Sequence, residues 1–274
     1  MILHLIIGKH SNLSNQLSLA LKNVVLVSTL DVAQELNNVE FSQYEKINII
    51  FNNFQTATAL NNIEDPVTYI SRAILSTSQV LEYIKVNHIP IHKMIYTSSS
   101  SVYGNNIFCS ESDEVKPLNL HASLKVSNEK LIEKFAQDNT IDYTIARVFN
   151  MYGGDDRFSI ISKIIYAYQN NTILTIVNNG NGIRDFIHID DVVLIYKKLL
   201  LSNNLPYVNV GTGEGISIKN IIDYLKNHQI NLKLNTIYRH ELKISTANNE
   251  LLMETIGNHV FKKVEQYIIE ELII

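Results

Sequence analysis

The sequence is poor in residues that mark several protein classes. It has four prolines, no tryptophan and one cysteine, Cys109, in 274 residues. A single cysteine excludes an internal disulfide and suits a reducing compartment. No apolar run approaches the roughly 18 residues that span a bilayer, and the apolar start, MILHLII, lacks the basic region of a signal peptide. We therefore predict a cytoplasmic protein with no membrane partner.

Charge and metal ligands are also sparse. The net charge is −4 and no basic run occurs, which argues against nucleic acid as a partner. The nine histidines are scattered, and His188 has no second histidine or cysteine at metal-ligand spacing, so no metal site is predicted. The hydrophobic content of 46% is enough for the core of one large or two small domains.

Glycine is scarce in the first part of the chain. Gly8 is the only glycine among the first 103 residues, and it follows a predicted strand, Ile2 to Ile7. A glycine turn between a strand and a helix is typical of a unit that holds a dinucleotide at the helix N-terminus. Serines at 11 and 14 continue this turn. An ordinary strand-to-helix turn capped by Ser11 explains the same residues, so both interpretations stay open.

The densest polar stretch follows a short predicted buried strand, Met94 to Tyr96. Thr97 and four serines come next, and the stretch ends at Gly104. Active sites of open α/β sheets lie at such strand ends. Further along, His121 and Lys125 stand four residues apart at the start of a helical pattern, a spacing that places two side chains on one helix face. The imidazole and the ammonium could therefore converge on one substrate and cofactor.

Five segments resemble the extended short-chain dehydrogenase/reductases of the sugar-nucleotide epimerase/dehydratase type. His121 stands where that family has its catalytic tyrosine. The segments are Ser98–Gly104, Pro117–Glu129, Arg147–Gly153, Ile183–Val192 and Asn209–Ser217. The resemblance implies an α/β fold, a Rossmann-like doubly wound parallel sheet with a smaller C-terminal α/β substrate domain. It also implies a dinucleotide-binding domain over residues 1–150, to which 186–210 return, and a substrate domain over 151–185 and 211–274.

The resemblance also implies roles for individual residues. Ser28 stands where NAD-binding members carry an acid, and Lys9 could face a 2′-phosphate, so NAD and NADP both stay open. Arg184 could bind a nucleotide diphosphate or pair with Asp185 or Asp190. The implied catalytic residues are Ser99, His121 and Lys125; the cofactor-binding residues are Gly8, Ser11, Asn12, Leu13, Ser28, Phe51, Asn52 and Lys125; and the substrate-binding residues are Ser99, Ser100, Asn150 and Arg184.

Two functions are compatible with these residues. The first is an epimerase or 4-keto reductase that uses a tightly held nicotinamide cofactor on a nucleoside-diphosphate sugar, for bacterial surface polysaccharide. Dehydratases of this type carry Asp and Glu where this chain has Ser100 and Ser101, so dehydration is not expected. The second is a family member that binds sugar nucleotide or a partner without hydride transfer. Ser11 and Ser14 stand where the family has glycines, and the other cofactor loops and His121 also depart from the family pattern.

Two predicted helices bear on assembly. In the family, the helices that correspond to residues 67–86 and 122–137 pack against a second subunit, so a homodimer is expected. An intramolecular core explains the same apolar spacing.

Overall fold

The computed structural model describes residues 1–53, 63 and 65–273. Phe54, part of the predicted cofactor loop, lies outside this range. None of the helices in the described ranges is both long and apolar enough to cross a membrane.

The secondary structure alternates between strands and helices along most of the chain. The strands are β1 (Ile2–Ile7), β2 (Val24–Val27), β3 (Lys46–Phe51), β4 (Ile91–Ser99), β5 (Phe108–Cys109), β6 (Asp142–Val148), β7 (Asn150–Tyr152), β8 (Ile173–Val177), β9 (Ile183–His188), β10 (Tyr207–Val210), β11 (Gly215–Ser217), β12 (Lys233–Ile237) and β13 (Ile244–Ala247). The helices are α1 (Asn12–Ala20), α2 (Val32–Asn37), α3 (Pro66–Ile70), α4 (Ser76–Val86), α5 (Leu120–Asp138), α6 (Ile160–Gln169), α7 (Ile189–Leu199), α8 (Ile218–Asn227), α9 (Glu250–Ile256) and α10 (Val264–Ile273).

Six parallel strands form the large sheet in the order β10-β6-β4-β3-β1-β2. Strands such as β1 and β3 are almost wholly apolar because helices cover both faces of the sheet. Helices α1 and α7 pack on one face, and α2, α4 and α5 pack on the other. The predicted α/β fold class with a doubly wound parallel sheet is confirmed.

A second, mixed sheet runs in the order β11-β9-β13-β5, and β7 pairs with β9. Beside it, α6, α8 and α10 surround a separate apolar cluster that includes Ile161, Ile221 and Ile268. Between the sheets, β10 returns to the large sheet beside β6. The domain boundaries near residue 150 stay a prediction.

The helix predicted over Val67 to Val86 is interrupted. Residues Ser71–Leu75 form a π-helical turn between α3 and α4. Such turns widen the helix by one residue per turn and are frequent at functional sites. The turn therefore shifts the register of the side chains around Arg72.

Candidate active site

The serines at the end of β4 differ in burial and in hydrogen bonding. Ser98 is fully buried and donates to a carboxylate oxygen of Glu129. Ser99 is half-buried, and its oxygen accepts the backbone N–H of Ser101 at 3.2 Å, which starts a short 3₁₀ turn. Because that bond uses a lone pair, the O–H of Ser99 can still donate to a ligand. The catalytic and substrate-binding role of Ser99 stays a prediction.

Lys125 is buried on α5, and its ammonium lies between two strand ends. Its Nζ donates to the carbonyl of Thr97 at 2.8 Å and to the carbonyl of Asn53 at 3.1 Å. Burial lowers the pKa of Lys125 to about 7, and the nearby Glu129 carboxylate partly opposes this effect. The lysine therefore joins the start of α5 to the carboxyl ends of β3 and β4.

His121 lies one helical turn before Lys125 and is half-buried. Together they line a small space with Asn53 and Tyr96. Burial lowers the pKa of His121 to about 4, and the positive charge of Lys125 adds to the shift. The imidazole is therefore neutral at pH 7 and can accept a proton.

The depressed pKa of His121 predicts a pH effect on stability. Below pH 6.5 the unfolded chain takes up a proton on this residue, whereas the folded chain does not until about pH 4. Stability should therefore fall as the pH drops from 6.5 to 4, and His121→Gln should lose less over that window. Urea denaturation at pH 7 and pH 5 measures this difference. The exposed His92, changed to Gln, is the matched control; equal losses in wild type and His121→Gln would contradict the prediction.

A cavity of about 460 Å³ opens at the carboxyl ends of β1 and β2, at the N-terminus of α1. Six predicted cofactor-binding residues line it: Gly8, Ser11, Asn12, Leu13, Ser28 and Asn52. Gly8 has a φ of +108°, and a Cβ at this position would lie 2.3 Å from the carbonyl oxygen of Asn52. Only glycine allows this close approach. The glycine turn and the helix N-terminus suit the diphosphate of a dinucleotide, so the residues present fit such a cofactor.

The serines that replace family glycines are built into the fold. Ser11 caps α1, since its oxygen accepts the N–H of Ser14 at 3.0 Å. Ser14 is fully buried, and its oxygen accepts from the side chain of Asn52 at 3.1 Å. Asn52 in turn accepts from Thr97, whose hydroxyl also lies 2.6 Å from that of Tyr196. Ser14 therefore connects α1 to the sheet, whereas Ser11 caps the helix and lines the cavity.

Phe51 has a different place from the other predicted cofactor residues. Its side chain is fully buried in the core beneath α2, α4 and α5, together with Ile49 and Val80. Phe51 therefore does not line the cavity, contrary to the prediction. The Leu13 side chain is also buried in the core, so its backbone amide is the group suited to binding.

An acid near the end of β2 was missed from the sequence. Glu35, on α2, accepts the backbone N–H of Ser28 at 2.9 Å, and its other oxygen lies 3.9 Å from Nζ of Lys9. A carboxylate thus lies beside the end of β2, seven residues after position 28. No local motif signals this, because the contact depends on how α2 folds back on β2.

The predicted substrate residues of the second sheet have mixed contacts. Arg184 lies 3.4 Å from the carboxylate of Glu241, and so its ion pair is formed with neither Asp185 nor Asp190. It also donates to the Ile183 carbonyl at 2.8 Å. Asn150 donates to the Asp185 carbonyl at 2.9 Å, which leaves its side-chain oxygen available.

Asp185 and His188, which follow Arg184, make hydrogen bonds that order neighbouring segments. Asp185 is fully buried and accepts from the backbone of Thr212, Gly213 and Ala247, although burial raises its pKa. His188 caps α7 by accepting the N–H of Asp190 at 3.1 Å. This strongly matching segment therefore orders the loop after β10 and the start of α7.

A buried ion pair supports α5 from below the site. Arg147 on β6 donates to both oxygens of Glu129, at 3.2 and 2.8 Å, and the two side chains are 5% and 1% exposed. Arg147 also donates to Tyr103, which donates to Asn209 on β10 at 2.7 Å. The pair thus fixes the helix that carries His121 and Lys125 against the strands of the large sheet.

Comparisons with known proteins bear on the family and the fold of this chain. The family model described as NAD dependent epimerase/dehydratase family matches residues 6–211. The chain is 31% identical over 210 residues to Protein CapI of Staphylococcus aureus, covering 72% of this chain and 62% of that protein. It is 27% identical over 202 residues to a putative UDP-glucose 4-epimerase of Methanocaldococcus jannaschii, covering 71% of this chain and 65% of that protein. The chain thus matches less than two thirds of the length of these curated relatives.

A solved structure shows the same fold over nearly the whole chain. UDP-glucuronic acid 4-epimerase from Bacillus cereus, in complex with UDP-glucuronic acid and NAD, is 23% identical with a TM-score of 0.83. The alignment covers 99% of this chain and 98% of that one. At this identity, the likeness concerns the fold.

Proposed function

Because the chain belongs to the NAD dependent epimerase/dehydratase family, we propose that it is an NAD-dependent enzyme that inverts a hydroxyl-bearing carbon of a nucleoside-diphosphate sugar. A 4-epimerase is the activity we favour, and a 4-keto reductase would use the same groups. The matched relatives include a putative UDP-glucose 4-epimerase and a UDP-glucuronate 4-epimerase. We also propose that the product serves bacterial surface polysaccharide.

One observation carries this proposal. Asn52 lines the cavity beside Gly8, and the next residue, Asn53, accepts a hydrogen bond from Nζ of Lys125 at 3.1 Å. His121 stands one helical turn from that lysine. A dinucleotide held at Gly8 would therefore extend toward a neutral imidazole, which can accept a proton, and an amine, as hydride chemistry on an alcohol requires.

The cofactor would lie along Gly8, Ser11, Asn12 and the backbone of Leu13, with Ser28 at its adenosine end and Lys125 at the nicotinamide ribose. When bound, the nicotinamide supplies reversible acceptance of hydride. His121 accepts the proton of the sugar hydroxyl at a ring nitrogen and returns it afterwards. Ser99 donates its O–H to the same oxygen. Since imidazole is shorter than the phenol of tyrosine, the sugar approaches more closely or one water intervenes.

The direct test is conversion of the substrate. The protein is incubated with NAD and either UDP-glucose or UDP-glucuronate, and the 4-epimer is followed by proton NMR. We expect conversion of at least one sugar, and we expect His121→Phe to lower the rate by about 10²- to 10⁴-fold, the usual contribution of a general acid–base group. Conversion by His121→Phe at the wild-type rate would show that another group moves the proton.

The position of Glu35 predicts a preference for NAD. A 2′-phosphate beside the Ser28 amide would meet the Glu35 carboxylate, which repels it, whereas ribose hydroxyls could donate to that carboxylate. We expect Glu35→Gln to narrow the ratio of NADP to NAD dissociation constants by about tenfold, or roughly 1.4 kcal/mol. Calorimetry with both dinucleotides measures the ratio. Asp31→Asn, on the preceding turn, is the control, and an unchanged ratio in Glu35→Gln would contradict the assignment.

We also propose a homodimer through α3–α4 and α5. Three apolar residues of α4 are buried in the core: Val80, Leu81 and Ile84. Val67 and Val86, at either end of the segment, remain 76% and 67% exposed. Burying such residues against a second copy would be favourable. Sedimentation equilibrium of the purified chain measures the assembly state.

A further inference from the structure

The cavity beside Gly8 contains a cation that none of the predicted site residues supplied. Arg72 lines this cavity from the π-helical turn between α3 and α4. Its Nε is buried and has no hydrogen-bond partner within the part of the chain that the structure describes. A buried guanidinium nitrogen without an acceptor is costly, so a ligand that supplies an acceptor would stabilise this arrangement.

The chemistry around Arg72 favours an anionic ligand. The same cavity is bordered by the N-terminus of α1, where backbone dipoles attract negative charge. The other cation on its wall, Lys9, already lies 3.9 Å from Glu35. Asp155 and Asp156 also line the cavity. Hydrogen bonds from Thr68 lower the pKa of the exposed Asp65, and the charge of Arg72 adds to this effect. The guanidinium is thus the cation best placed to meet a ligand's negative charge.

We propose that Arg72 binds the diphosphate of the dinucleotide, from the π-helical turn, across from the amides of the Gly8–Leu13 turn. This inference rests on the proposed function, since it names the group that holds the same cofactor. A planar guanidinium can contact two phosphate oxygens at once. Ser11 lines the cavity where the family has a glycine, so its side chain reduces close backbone approach to the diphosphate there. A cation on a second wall offsets that loss.

The test uses a ligand that contains the diphosphate but no nicotinamide. ADP-ribose is titrated calorimetrically into the full chain and into Arg72→Gln. We expect the dissociation constant to rise by about 10- to 100-fold in Arg72→Gln, the loss typical of hydrogen bonds to charged groups. Adenosine, which lacks phosphate, should bind both proteins equally. Arg72→Lys keeps the charge but cannot contact two phosphate oxygens at once. We therefore expect its dissociation constant to lie between those of the wild type and Arg72→Gln.

Controls separate the possible outcomes. Arg157→Gln removes the same charge from an exposed arginine that lies outside this cavity, and it should bind ADP-ribose as the wild type does. Circular dichroism establishes whether each variant is folded. If Arg72→Gln does not fold, Arg72→Lys replaces it in the titration. ADP-ribose binding that is the same in wild type, Arg72→Gln and Arg72→Lys would overturn this inference alone. No ADP-ribose or NAD binding by the wild type would overturn the proposed cofactor site as well.

Discussion

Lys125→Met is expected to lower turnover of the sugar nucleotide by about 10²- to 10⁴-fold. Methionine fills a similar volume but removes the ammonium that contacts the carbonyls of Asn53 and Thr97 and that would hold the nicotinamide ribose. The assay is the NMR conversion described above, with NAD binding measured in parallel by calorimetry. Lys130→Met, on the exposed side of the same helix, is the matched control.

The difference in stability between Lys125→Met and the wild type should depend on pH. The folded pKa of about 7 lies below the ordinary value of 10.5, so the folded chain holds fewer protons than the unfolded chain between these values. The contribution of this group to wild-type stability therefore rises as the pH increases from 7 to 10.5. Compared with the wild type, the variant should be most stable at pH 7 and should become less stable than the wild type as the pH rises. A difference in stability between the variant and the wild type that stays the same from pH 7 to pH 10 would contradict this prediction.

Glu129→Gln is expected to lower the free energy of unfolding by about 3–5 kcal/mol, because it leaves the buried Arg147 charge without its partner. For a chain of this size, the melting temperature should fall by roughly 10 °C. Thermal and urea denaturation measure both quantities. Asp138→Asn removes the acid of the exposed Lys134–Asp138 pair and should cost less than about 0.5 kcal/mol.

A double variant tests the cause of that loss. Glu129→Leu with Arg147→Met removes both charges, so it should be more stable than Glu129→Leu alone. If the double variant is the less stable of the two, the loss comes from packing or from the hydrogen bonds of Ser98 and Tyr103.

Sequence reasoning was most successful where the signal is local. The boundaries predicted for β1, Ile2 to Ile7, are confirmed, since this strand is a short apolar run ended by a glycine. The i, i+4 spacing of His121 and Lys125 likewise places them on one helix, where they share a small space. The predicted fold class is confirmed for the same reason, because alternating strands and helices define a parallel sheet.

Contacts between distant elements could not be predicted. Arg72 lines the cavity from a π-helical turn, and Glu35 reaches Ser28 because α2 folds back on β2. The pairing of Arg184 with Glu241 joins residues 57 positions apart. Ser14 suggested a damaged cofactor loop, yet its hydroxyl is directed to Asn52, a partner 38 residues away that no short motif includes.

The central claim is that the cavity at Gly8 holds a dinucleotide beside His121 and Lys125. Calorimetric titration of NAD into the purified chain, followed by UDP-glucuronate, tests it most directly. The account predicts saturable one-to-one binding of NAD. Binding of UDP-glucuronate without any binding of NAD would contradict it and would identify a sugar-nucleotide-binding protein with no hydride chemistry.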